Sequence, residues 1–177
     1  RHVKKSKLSP CLGAQFFGLK YGTSHDAIRN SVAQKAARYG QLEKPYIIAV
    51  NVHDFAIDSE SELSSLYGSL QAVLKQDQNT GEAEFSNWRF SGSGAFYHKE
   101  KAINTRVTGV WIFRQISHTG GSSRSSTIYY HPEGQHPLVL SIGAGSCTVN
   151  DDGLIEQTSG PSMNSLLGLD DNWPQDE

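Results

Sequence analysis

The chain has 177 residues, 37% apolar and 19% charged, which suits one globular domain with a real core and excludes a disordered chain. No apolar run approaches the roughly 20 residues of a membrane-spanning helix, so no membrane partner is expected. The formal net charge of −2 hides a split: residues 1–50 carry nine Lys or Arg against two acids, and residues 51–177 carry seven against sixteen.

The chain opens on "RHVKKSKLSP", a basic, extended start. Lys4, Lys5 and Lys7 are candidate phosphate contacts for DNA or RNA, with pairing to the acidic remainder, or to acids of a missing N-terminal part, as equal alternatives. No signal-peptide pattern lies in residues 1–25. Cys11 and Cys147 are far apart and no C-x-x-C is present, so two free thiols and a cytoplasmic location are expected. The first residue is Arg1, and the expectation is a fragment of a longer chain whose N-terminal portion is a partner of this one.

"AQFFGLKYG" (14–22) reads as a short strand and turn. Ser24 or Asp26 can cap the helix that follows, which runs to about Tyr39, with Gly40 as its left-handed stop. Pro45 then opens a strand, Tyr46–Val52, whose unbroken apolar run predicts burial on both faces. On a helical wheel with Ile28 at zero, Tyr39 falls at about +20°, Val32 at about +40° and Ala36 at about +80°. Lys35 falls at about −20°, inside the same stripe, with Arg29 and Arg38 on its flanks. An inward ammonium must reach water, pair, or be used. Arg29 and Arg38 are further nucleic-acid candidates.

Beyond residue 53, "DFAIDSESELSSLYGSLQAVL" (54–74) predicts one or two short helices from its early acids and the spacing of Leu63, Leu66, Leu70, Val73 and Leu74. Residues 75–87 read as a polar loop, and "SGSGAFYHKEKA" as a turn or hairpin. "NTRVTGVWIFRQI" (104–116) is a second strong strand. "TIYYH" and "PLVLSI" read as strands around the turn "PEGQH", and a helical turn is expected at 162–167. His53 with Asp54 and Asp58 is the best local metal-type cluster, although a solvated loop explains it as well. No metal ligand is assigned within the chain. Neither a G-x-S-x-G nor a dinucleotide fingerprint is present.

The segments "AIRNSVAQKAARYGQLEKPYIIAVN", "LYG", "NTRVTGVWIFRQI", "IYYHPEGQHPL" and "LLGLDDNWP" occur in an order that resembles the C-terminal half of a widespread uncharacterised bacterial family. In such proteins the preceding half carries a degenerate restriction-endonuclease-like (PD-(D/E)xK) core. The resemblance implies an α/β or α+β fold in which residues 14–52 supply a helix and strand of that nuclease core. Residues 53–177 then form an extension with short helices and a small antiparallel sheet, the whole chain 1–177 being one domain. It implies Lys35 as the catalytic cation, with Gln34 as second candidate and Tyr39 one turn on. It also implies magnesium held by carboxylates outside this chain, and phosphodiester hydrolysis as the chemistry. No Asp…Glu-x-Lys pair precedes the helix here, so this chain alone is expected to be inactive. "HPEG" also replaces the family's usual Asn-Pro. The rival reading is a non-catalytic interaction or structural module of a larger assembly.

Overall fold

The computed structural model describes residues 24–40, 42–53, 57–76, 81–90, 93–99, 101–114, 116, 126–138, 143–150, 153–170 and 173. The expected contacts from Lys4, Lys5 and Lys7, the strand at 14–22, and Cys11 lie outside these residues. So do Asp54 and most of "PLVLSI".

The described residues form a mixed α/β fold. Helix α1 (Ser24–Arg38) is followed by β1 (Ile47–Val52), α2 (Ser59–Tyr67), a ribbon of β2 (Leu70–Gln76) and β3 (Ala83–Phe90), and a short hairpin of β4 (Tyr97–His98) and β5 (Lys101–Ala102). Strands β6 (Gly109–Arg114), β7 (Thr127–Tyr130), β8 (Gly145–Val149) and β9 (Ile155–Thr158) come next, and α3 (Met163–Leu166) after them. A five-stranded sheet runs in the order β1-β6-β7-β8-β9. β1 pairs parallel with β6 and β7 parallel with β8, while β6–β7 and β8–β9 are antiparallel. The later strands therefore do not form a small antiparallel sheet of their own. They share one mixed sheet with β1, and everything from α2 to β5 is the crossover that a parallel β1–β6 pair requires.

Strand alternation and register place Ile48, Val50, Val110, Ile112, Tyr129 and Cys147 on one face. These side chains are buried with Ile28, Val32 and Ala36 of α1 and Leu66 and Tyr67 of α2 in one core. Each such aliphatic side chain contributes about 1.5–3 kcal/mol by leaving water. β1 is not buried on both faces as its composition predicts. It is an edge strand whose side chains alternate, with Ala49 and Asn51 exposed. An apolar run cannot distinguish an edge from a centre, because that is decided by which strands pair.

Two other elements depart from expectation. The helical reading of 54–74 holds for α2 alone. Asp58 caps its start, its carboxylate accepting from the Ser61 N–H at 2.8 Å, and Gly68 ends it at a φ of 90° that a side chain would oppose. Its last carbonyls are taken by Ala95 and Phe96, which donate to Ser65 and Leu66 at 2.9 and 2.8 Å. Leu70, Val73 and Leu74 then lie on β2, paired with β3 across the supposed polar loop. Gly40, for its part, does not take a left-handed conformation. The end of α1 is closed from a distance: the Arg106 guanidinium donates to the Tyr39 carbonyl at 2.7 Å and the Tyr46 hydroxyl to that of Lys35 at 3.1 Å.

Candidate functional site

The residues that the sequence singles out lie along α1 and divide between its two ends. Lys35 is half-buried, and its ammonium donates to the Ala49 carbonyl at 2.6 Å. Thr108 donates to the Tyr46 carbonyl at 2.7 Å, which turns the carbonyls of Tyr46, Ile48 and Val50 toward β6 and that of Ala49 away from it. Lys35 therefore reaches over the core to close one main-chain acceptor on the outer edge of the sheet, a common use of lysine at such edges. Gln34 is exposed, and Tyr39 is 48% exposed rather than part of the buried stripe.

Tyr46 connects helix and strand. Its ring meets Tyr39 edge-on, centroids 5.5 Å apart. Its backbone N–H donates to the Thr108 hydroxyl at 3.0 Å, and that hydroxyl donates to the His136 carbonyl at 2.9 Å. The His136 imidazole returns a bond to the Leu42 carbonyl at 2.9 Å; a carbonyl only accepts, so Nε2 carries the proton. Burial raises the Tyr46 phenol above its ordinary value, Tyr39 adds to the shift, and Arg38 and Arg106 oppose it. Both guanidiniums are thus close enough to act on that hydroxyl. Lys44, exposed, lies in the same loop. Among the described residues, Lys35, Arg38, Lys44 and Arg106 form no ion pair with a carboxylate. Four cations and two tyrosines therefore gather where α1 meets β1.

Sequence reasoning found Lys35, Arg38 and Tyr39 of this group. It missed Lys44, Tyr46 and Arg106. Arg106 was read as a strand residue, but it lies just before β6 and reaches α1 across 67 positions. No local pattern reports such a contact. Arg29, by contrast, sits near the other end of α1, about 14 Å from Arg38 along the axis, with Asp26 3.5 Å away.

Among the described residues, the buried carboxylate is elsewhere. Glu62 on α2 is 1% exposed and accepts from Arg114 Nε at 2.7 Å and from the Tyr129 hydroxyl at 2.5 Å. Arg114 also donates to the Ser59 hydroxyl at 3.1 Å. This cluster joins α2 to β6 and β7. His53 pairs with the Asn51 side chain at 3.0 Å, and Asp58 is the α2 cap. Among the described residues no group of three His, Cys, Asp or Glu side chains is placed to hold a metal ion. The resemblance places the ligands of its magnesium outside this chain. No helix of the described residues is long and apolar enough to cross a membrane.

No protein-family model matches the chain, and neither the curated proteins nor the solved structures include a match.

Proposed function

We propose that the chain is part of a restriction-endonuclease-like protein and contacts nucleic acid through the junction of α1 and β1. The observation that supports this reading is the gathering of Lys35, Arg38, Lys44 and Arg106, without carboxylate partners among the described residues, around Tyr39 and Tyr46. A helix C-terminus welcomes a cation, and Arg106 answers that need directly. Arg38 and Lys44, exposed beside it, are free to meet phosphate oxygens, and Tyr39 presents a half-exposed ring for stacking. The position suits the nuclease reading: the outer edge of β1 is the side on which further strands of such a core fit. A strand placed there would donate to the Ala49 carbonyl and release Lys35 for a phosphate. The described residues supply no magnesium site, so no hydrolytic step is assigned to them.

One observation favours a second reading, a non-catalytic module of a larger assembly: the Lys35 ammonium is already occupied by a main-chain carbonyl. Fluorescence anisotropy with labelled single-stranded and duplex oligonucleotides at low salt separates the two. The first reading expects saturable binding competed by unlabelled DNA or RNA; the second expects none.

A further inference from the structure

A second feature lies at the opposite end of α1. An open cleft of about 430 Å³ separates the first turns of α1 from α2, and its described lining includes no apolar side chain. Ser61, Ser64 and Ser93 line it; the Ser61 hydroxyl bonds the Asp58 carboxylate, and among the described residues the hydroxyls of Ser64 and Ser93 have no hydrogen-bond partner. Arg29 Nε is buried and likewise unpartnered. His25 is fixed in orientation, its Nδ1 lying 3.1 Å from the Ser61 carbonyl and 3.2 Å from the Ser65 hydroxyl. Because the carbonyl only accepts, Nδ1 bears the proton and Nε2 is left as an acceptor. Asp58, Glu60 and Ser69 complete the polar set.

The volume falls within the range of small-molecule sites. An apolar ligand has nothing to pack on. A polyanion meets two carboxylates against one guanidinium that already has Asp26 beside it. A metal ion lacks a ligand group among the described residues. What matches is a neutral molecule rich in hydroxyls, each able to donate to a carboxylate or to His25 and to accept from a serine or from Arg29. We propose that the cleft binds a small neutral sugar bearing vicinal hydroxyls, held between the carboxylates of Asp58 and Glu60 and the guanidinium of Arg29. This site is separate from the cationic junction and does not depend on it.

Saturation-transfer NMR with D-ribose and D-glucose, each with inorganic phosphate added as a competitor, tests the assignment. Saturable binding of at least one sugar is expected, and phosphate is expected not to displace it. Glu60→Gln alters an exposed side chain and Arg29→Met removes the buried donor; each is expected to weaken sugar binding about tenfold while the far-UV spectrum stays unchanged. Absence of saturable sugar binding, displacement of the sugar by phosphate, or sugar binding unaffected by both folded variants would overturn it.

Discussion

The Lys35 ammonium lies 2.6 Å from the carbonyl oxygen of Ala49, so a charge predicted to face the core instead closes the outer edge of the sheet. This bond is exposed, and removing it has a modest effect on folding. Lys35→Met is expected to lower stability by about 0.5–1.5 kcal/mol in urea titrations. A loss above about 3 kcal/mol would mean that the amine holds more than one main-chain acceptor.

The Glu62–Arg114–Tyr129 cluster is a different case, because its carboxylate has almost no access to water. Glu62→Gln leaves Arg114, whose side chain is 19% exposed, without its counter-charge. The expected loss is about 3–5 kcal/mol. Tyr129→Phe removes one bond to the same carboxylate and is expected to cost about 1–3 kcal/mol. A double variant losing less than the sum would confirm that the groups act as a unit.

The structure also predicts an alkaline limit. Burial pushes the Cys147 thiol from 9.0 up to about 11 and raises the Tyr67 and Tyr129 phenols well above their ordinary 10.0. Above those ordinary values the unfolded chain gives up protons that the folded chain retains. The folded state then binds more protons, and stability falls as pH rises. Chemical denaturation between pH 8 and 11 should show stability declining from about pH 9 upward, and the decline should begin about one unit later in Cys147→Ala.

His131 sets the acid side. It is 5% exposed, donates from Nε2 to the Ile103 carbonyl at 2.8 Å, and accepts the Glu133 N–H at Nδ1 at 3.0 Å. Its ring lies 4.5 Å from that of Phe96. Burial lowers its pKa below 6.5, against opposing contributions from the Ile103 bond and from Glu133. Below 6.5 the unfolded chain binds a proton that the folded chain refuses, so stability is full above 6.5 and is lost as pH falls toward the folded value. His131→Gln should start from a lower stability at pH 7 and show a shallower decline between pH 6.5 and 5.

Gly94 packs its α-carbon against the Leu66 carbonyl at the end of α2, where an added Cβ has no room. Gly94→Ala is expected to cost about 2–3 kcal/mol, since backbone and not a flexible side chain must shift. Thermal unfolding of the variant measures it directly.

How much of this was visible in the sequence follows from the range of the interactions. The 3.6-residue spacing of Ile28, Val32 and Ala36 marked the buried side of α1, and the apolar runs marked β1, β6 and β7, because these signals are local. Paired strands β2 and β3 escaped notice because Leu63, Leu66, Leu70, Val73 and Leu74 continue a helical spacing through Gly68, where the chain changes direction. Gly40 looked like a helix stop, yet the closing donors come from Arg106 and Tyr46. The cationic junction was half legible for the same reason: Arg38 and Tyr39 are on the helix and Lys44 and Tyr46 follow it closely, whereas Arg106 reaches it only after β1 has paired with β6.

The most direct test of the account is the salt dependence of oligonucleotide binding by the chain and by Arg38→Gln/Lys44→Gln. If both cations meet phosphates, the double variant binds more weakly at every salt concentration, and the slope of log Kobs against log[salt] falls by about 2 for duplex DNA. Unchanged affinity and an unchanged slope, with the variant folded, would contradict a nucleic-acid contact at the α1–β1 junction.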